Sequence, residues 1–129
     1  MEHLAGVHSR LSAVIVTTPQ AVALMDAMKC LSFTRAVNLP VVGLIENMSG
    51  YVCPCCGEIS NVFSTGGGGE MARREELRFL GALPVDTELV SVLDGGHADG
   101  SFGMLDRYHK TPSAKLFKDM VRVVIDRVQ

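Results

Sequence analysis

Hydrophobic and polar positions along this chain follow two different periods. Ala13-Val14-Ile15-Val16-Thr17 is an unbroken, mostly β-branched run, which predicts a strand buried on both faces of a parallel sheet. Val41-Val42-Gly43-Leu44-Ile45 predicts a second strand and Phe79-Leu80-Gly81-Ala82-Leu83 a third. Between the first two, Val22, Met25, Met28/Lys29 and Phe33 recur at three- and four-residue steps and predict a helix to about Val37. Thr18 offers the capping hydroxyl and Pro19 the first helical position. Asn38-Leu39-Pro40 ends the helix, because a proline disfavours helical backbone in the residue before it. Strand, helix and strand within about 33 residues form a right-handed crossover, so the two strands run parallel.

Further along, Gly69 to about Glu76 predicts a short helix. Asp86 is placed to cap a helix over Thr87–Leu93 that stops at Asp94-Gly95-Gly96. Residues 97–110 read as a polar loop. Thr111-Pro112 then opens an amphipathic helix to about Arg127, with Leu116, Phe117, Met120, Val123, Val124 and Val128 on its inner face. Residues 2–9 suit either the end of a short helix or an arm. Strands alternating with helices define an α/β fold, a parallel sheet with flanking helices. Three strands make a narrow sheet with at least one uncovered apolar edge, and no boundary inside the chain accounts for it. Residues 1–129 are therefore expected to be the C-terminal portion of a single larger domain.

Charge and cysteine usage narrow the functional classes. A net charge of −2 leaves no basic footprint for nucleic acid. No apolar run approaches the roughly 20 residues that span a bilayer, and MEHLAGVHSR lacks the order of a signal peptide. The expected address is cytoplasmic, where thiols stay reduced, so four cysteines point to metal or reactive chemistry before disulfides.

Those cysteines concentrate in ENMSGYVCPCCGEISNVFSTGGGGE, residues 46–70, a loop of about 20 residues, long enough for a compact domain to imply a function. Cys53 and Cys56 have the spacing that lets two sulfurs face one ion or cluster. Pro54 stiffens the turn, and Gly57 permits the left-handed backbone that such knuckles need. Zinc sites and four-iron clusters both require about four ligands. Cys30, placed mid-helix, is expected to be a small buried hydrophobe, and His3, His8, His97 and His109 show no ligand spacing. The missing ligands come most simply from a second copy of the chain across a two-fold axis. Cys55 reads as an exposed thiol or, alternatively, as a supplementary ligand. A thioredoxin-like redox pair fits poorly, since its first thiol sits at a helix N-terminus directly after a strand. A structural zinc knuckle that joins two copies without any transfer function is the alternative.

Gly66–Gly69 lacks the GxxxxGK[ST] pattern of a phosphate cradle and reads as a hinge that lets a helix pack close to the cysteine loop. Asn47 and Pro84-Val85-Asp86 follow strands, where open α/β sheets bind ligands. The Asn47 amide suits a purine edge, or it simply closes a turn.

Four stretches, VIVTTPQAVALMDAMK, PVVGLIENMSGYVCPCCGE, NVFSTGGGGEMA and FLGALPVD, together resemble the C-terminal half of the Mrp/ApbC-type P-loop ATPases. These are scaffolds of iron–sulfur cluster assembly related to the MinD and ParA group. NVFSTGGGGE most resembles the eukaryotic cytosolic Cfd-type branch. The resemblance implies a labile [4Fe-4S] cluster bridging two subunits through Cys53 and Cys56, in a homodimer or a heterotetramer with a longer paralogue. It implies transfer of that cluster to apo-proteins in the cytosol and nucleus. It also implies that Asn47, Pro84, Val85 and Asp86 flank the adenine of bound ATP. The family's Walker A loop and magnesium-binding aspartates lie N-terminal to this region and are not in the sequence, so hydrolysis of ATP by this chain alone is not expected.

Overall fold

A computed structural model describes residues 11–61, 66–94 and 100–128. In chain order the elements are β1 (Ala13–Thr17), α1 (Ala21–Ala36), β2 (Val41–Glu46), β3 (Tyr51–Val52), β4 (Ile59–Ser60), α2 (Gly67–Arg74), β5 (Phe79–Ala82), α3 (Thr87–Asp94), α4 (Gly100–Lys110) and α5 (Pro112–Val128). The main sheet has the order β1-β2-β5, with both pairings parallel. Helix α1 supplies the crossover between β1 and β2 and packs with α2 on one sheet face. Helix α5 lies against β5 and β2. A separate antiparallel ribbon, β3–β4, carries the cysteine turn. No helix among the described residues is long and apolar enough to cross a membrane.

The core forms where Ile15 and Leu44, register partners on neighbouring strands, meet Ala27 and Leu31 of α1 and Met71 and Ala72 of α2. Burying these aliphatic side chains drives the βαβ unit together, each large one contributing about 1.5–3 kcal/mol of transfer free energy.

Several expectations need correction. Helix α1 starts at Ala21, with Gln20 at its N-cap and no side-chain cap bond. Thr18 does not cap it; its Oγ1 is buried with no hydrogen-bond partner among the described residues. The residues 18–20 are used instead to turn the chain from sheet to helix. The inner face of α1 also differs from the predicted one. Leu24, Ala27, Met28, Leu31 and Thr34 face the sheet, whereas Val22, Met25 and Phe33 are 72%, 64% and 55% exposed. This helix is apolar nearly all round, so two stripes share the same spacing. The sheet takes the one containing Ala27, whose small side chain permits close approach. Cys30 falls outside that stripe and is exposed rather than buried.

β1 is not buried on both faces. Ile15 and Thr17 are buried, but Val14 and Val16 are exposed on the opposite face. The uncovered apolar edge of the narrow sheet lies here. In α5, Met120 is buried and Val123 and Val124 half-buried, while Leu116, Phe117 and Val128 remain exposed. Residues 100–110 are helix α4 rather than loop; two glycines and a polar composition disguise it, and packing against α3 and α5 holds it. Residues 2–9, Gly95-Gly96 and 97–99 lie outside the described residues.

Candidate metal centre

The cysteine turn is closed by its own backbone. The Cys53 N–H donates to the Glu58 carbonyl at 2.9 Å, and the Gly57 N–H returns to the Cys53 carbonyl at 2.8 Å. Gly57 has φ of 73°, the left-handed conformation that its place after the cysteines demands. Cys53 is half-buried at the base of the turn, and Cys55 and Cys56 are exposed at its tip; all four cysteines, with Cys30, are free thiols. The backbone amides of Cys55 and Cys56, with the Cys56 side chain, are the groups that act most on the Cys53 thiol. These donors hold the Cys53 thiol below the ordinary thiol value against the opposing effect of burial. The same amides would stabilise a metal-bound thiolate, since hydrogen bonds to ligand sulfur tune such sites. The donor set therefore suits a thiophilic metal.

Among the described residues no group of three or more His, Cys, Asp or Glu side chains could hold a metal ion. His109 lies on α4 with its ring 5.5 Å from that of Tyr108. His3, His8 and His97 lie outside the described residues. No helix begins at the cysteines, so the helix-terminal activation of a thioredoxin pair is missing.

The base of the turn rests on the segment that follows β5. Tyr51 bridges to Val85, Val52 N–H donates to the Val85 carbonyl at 3.1 Å, and Val85 N–H donates to the Gly50 carbonyl at 2.7 Å. Asp86 is buried beneath it. One carboxylate oxygen accepts the N–H groups of Glu88 and Leu89, capping α3 as its sequence position suggests. The other accepts the N–H and hydroxyl of Ser113 at the start of α5. Burial alone would raise this carboxyl, but the four donors outweigh it and leave the group below the ordinary aspartate value.

On the far side of the same segment, Asn47, Pro84, Tyr108, Ser113 and Phe117 line a slot of about 260 Å³ whose remaining wall is leucine. Asn47 also closes a turn, its Oδ1 accepting the Met48 N–H at 2.9 Å. So the structure brings Asn47 and Pro84 to the slot, while Val85 and Asp86 are not among its lining and are occupied with the cysteine turn and the helix starts. The sequence reading missed Glu46, whose buried carboxylate accepts from Ser49 and Gly68. A carboxylate closing an apolar strand, followed at a distance by a glycine run, was the available signal.

A parallel βαβ sheet with an apolar slot beyond its strand ends is an arrangement in which open α/β folds bind ligands. The chain belongs to the ParA-type NUBPL iron-transfer P-loop NTPase family, whose model matches residues 3–125. It is 52% identical over 100 residues to the cytosolic Fe-S cluster assembly factor CFD1 of Mycosarcoma maydis, covering 78% of this chain and 28% of that protein. It is 53% identical over 100 residues to the cytosolic Fe-S cluster assembly factor NUBP2 of Bos taurus, covering 74% and 37%. A solved nucleotide-binding protein of Archaeoglobus fulgidus in complex with ADP is 34% identical, with a TM-score of 0.57 over 66% of this chain and 35% of that one. The chain thus spans about a third of the length of the curated relatives it matches.

Proposed function

We propose that this chain is the cysteine-bearing part of a cytosolic iron–sulfur cluster assembly factor. Cys53 and Cys56 supply two thiolates, a second copy or a longer paralogue supplies two more, and a [4Fe-4S] cluster is the cargo held between them. The observation that carries this reading is the exposed knuckle: a pair of thiols, the first held below the ordinary thiol value by neighbouring amides, in a chain whose described residues gather no group of three or more His, Cys, Asp or Glu that could hold a metal ion. Half a site at a seam can be completed by docking and emptied by opening, which suits delivery to apo-proteins of the cytosol and nucleus. Asn47 and Pro84 would meet the adenine of ATP in the slot. Val85 and Asp86 would hold its wall, and phosphate binding and hydrolysis would belong to a Walker A loop outside this sequence.

Anaerobic reconstitution with iron and sulfide tests the reading. A sulfur-to-iron charge-transfer band with about two irons per chain is expected. Cys53→Ala and Cys56→Ala should each abolish it, and Cys55→Ala should preserve it. Equal loss from all three would refute the ligand assignment. Stoichiometric zinc that iron and sulfide do not displace would refute the cluster in favour of a structural zinc knuckle.

A further inference from the structure

Glu46 is 1% exposed, among the most completely buried side chains in the protein, and it is a carboxylate. It ends β2 at the point where the cysteine loop departs. No ion pair reaches it among the described residues. Its Oε1 accepts the Ser49 hydroxyl at 2.7 Å, just inside the start of the loop. Its Oε2 accepts the Gly68 N–H at 2.5 Å, just past the loop's end in the first turn of α2. A carboxylate in that position also complements the positive end of the helix. Close packing matches the hydrogen bonding: a Cβ on Gly68 would lie 2.9 Å from Glu46 Oε2 and 3.0 Å from its Cβ. Only glycine lets α2 seat on this side chain.

The ribbon between these two anchors is held at its base, where Val52 is buried and hydrogen-bonded to Val85, and little beyond it. Ile59, Ser60, Cys55 and Cys56 are all exposed, and the ribbon strands are two residues each. We infer that Glu46 is a positioning residue for the thiolate knuckle: one buried side chain ties both roots of the loop and so fixes how Cys53 and Cys56 are presented. This rests on the reading of those cysteines as a half-site. Two ligands that must meet two others across a seam tolerate little looseness in their support.

The test compares the wild-type chain with Glu46→Leu, Glu46→Gln, Ser49→Ala and Gly68→Ala, using hydrogen exchange of the apo-protein and Co²⁺ titration followed by thiolate-to-metal absorption. Glu46→Leu, Ser49→Ala and Gly68→Ala should speed exchange in peptides spanning residues 49–61 while α5 keeps its wild-type rate, and should weaken Co²⁺ binding about tenfold. Glu46→Gln should restore both, since its carbonyl can accept from Gly68 and its amide can donate to the Ser49 oxygen. Unchanged exchange over 49–61, or an equal rise in the loop and in α5, would overturn the inference by showing no role or a merely global one. Should Glu46→Leu fail to fold, the gentler Ser49→Ala and Gly68→Ala decide the matter by the same readouts. Absence of thiolate bands in the wild type would refute the half-site reading, while the exchange pattern would still judge Glu46.

Discussion

Oδ2 of Asp86 accepts both the backbone N–H of Ser113 at 3.1 Å and its hydroxyl at 2.7 Å, so a single oxygen fastens α5 to the segment after β5. Its other oxygen caps α3, and the residue stands between the cysteine turn and the apolar slot, lining a small hollow with Cys53 on one side. Asp86→Ala removes a helix cap and strands two buried Ser113 donors. A loss of about 2–4 kcal/mol is expected in urea unfolding. Ser113→Ala keeps the backbone bond and should cost about 1 kcal/mol.

The same carboxylate sets an acid limit. Its folded-state value lies below its unfolded one because hydrogen bonds from Ser113, Leu89 and Glu88 outweigh the cost of burial. Its contribution is thus fully present above the unfolded value of about 3.9 and is lost as pH falls through the lower folded value. Thermal melts in that acid range should fall more steeply for the wild type than for Asp86→Asn, which has no such proton to gain. Parallel curves would contradict the assignment.

At the knuckle, alkylation of Cys53 followed by mass spectrometry across pH should reach half its maximum rate below the ordinary thiol value, because two amides stabilise its thiolate. Cys55→Ala leaves the amide in place and should change this midpoint little. Cys55→Pro deletes that N–H and should move the midpoint upward.

The two stripes of α1 make opposite predictions. Leu31→Ala empties a core position and should cost about 2–5 kcal/mol. Met25→Ser and Phe33→Ser alter exposed positions and should change stability by less than about 0.5 kcal/mol. Chemical denaturation of the three variants side by side distinguishes this face from the predicted one.

For the slot, titration with a fluorescent adenine nucleotide should show saturable binding that Asn47→Ala weakens about tenfold, the worth of one good hydrogen bond. Binding unaffected by Asn47→Ala would remove that residue from the adenine site.

The three sheet strands, the parallel pairing of the first two and the cysteine turn were legible because each depends on local chemistry. β-branched runs bounded by proline signal buried strands, a crossover of this length makes them parallel, and Gly57 behind Cys56 announces a left-handed turn. Asp86 as a helix cap belongs to the same group, since its partners at Glu88 and Leu89 are its neighbours in sequence. Helix α4 was hidden because its reason to form is the pair of helices it packs against, not its own propensity.

By itself the sequence determined the α/β class, the strands of the parallel sheet and the tight turn that Gly57 permits behind the cysteines. Only the tertiary structure decided which of two equally spaced stripes on α1 turns inward, that Val14 and Val16 stay uncovered, and that Glu46 grips both ends of the cysteine loop. Burial and hydrogen-bond partnership between residues 22 positions apart, as for Glu46 and Gly68, are properties of the packed chain. No periodicity along the backbone encodes them.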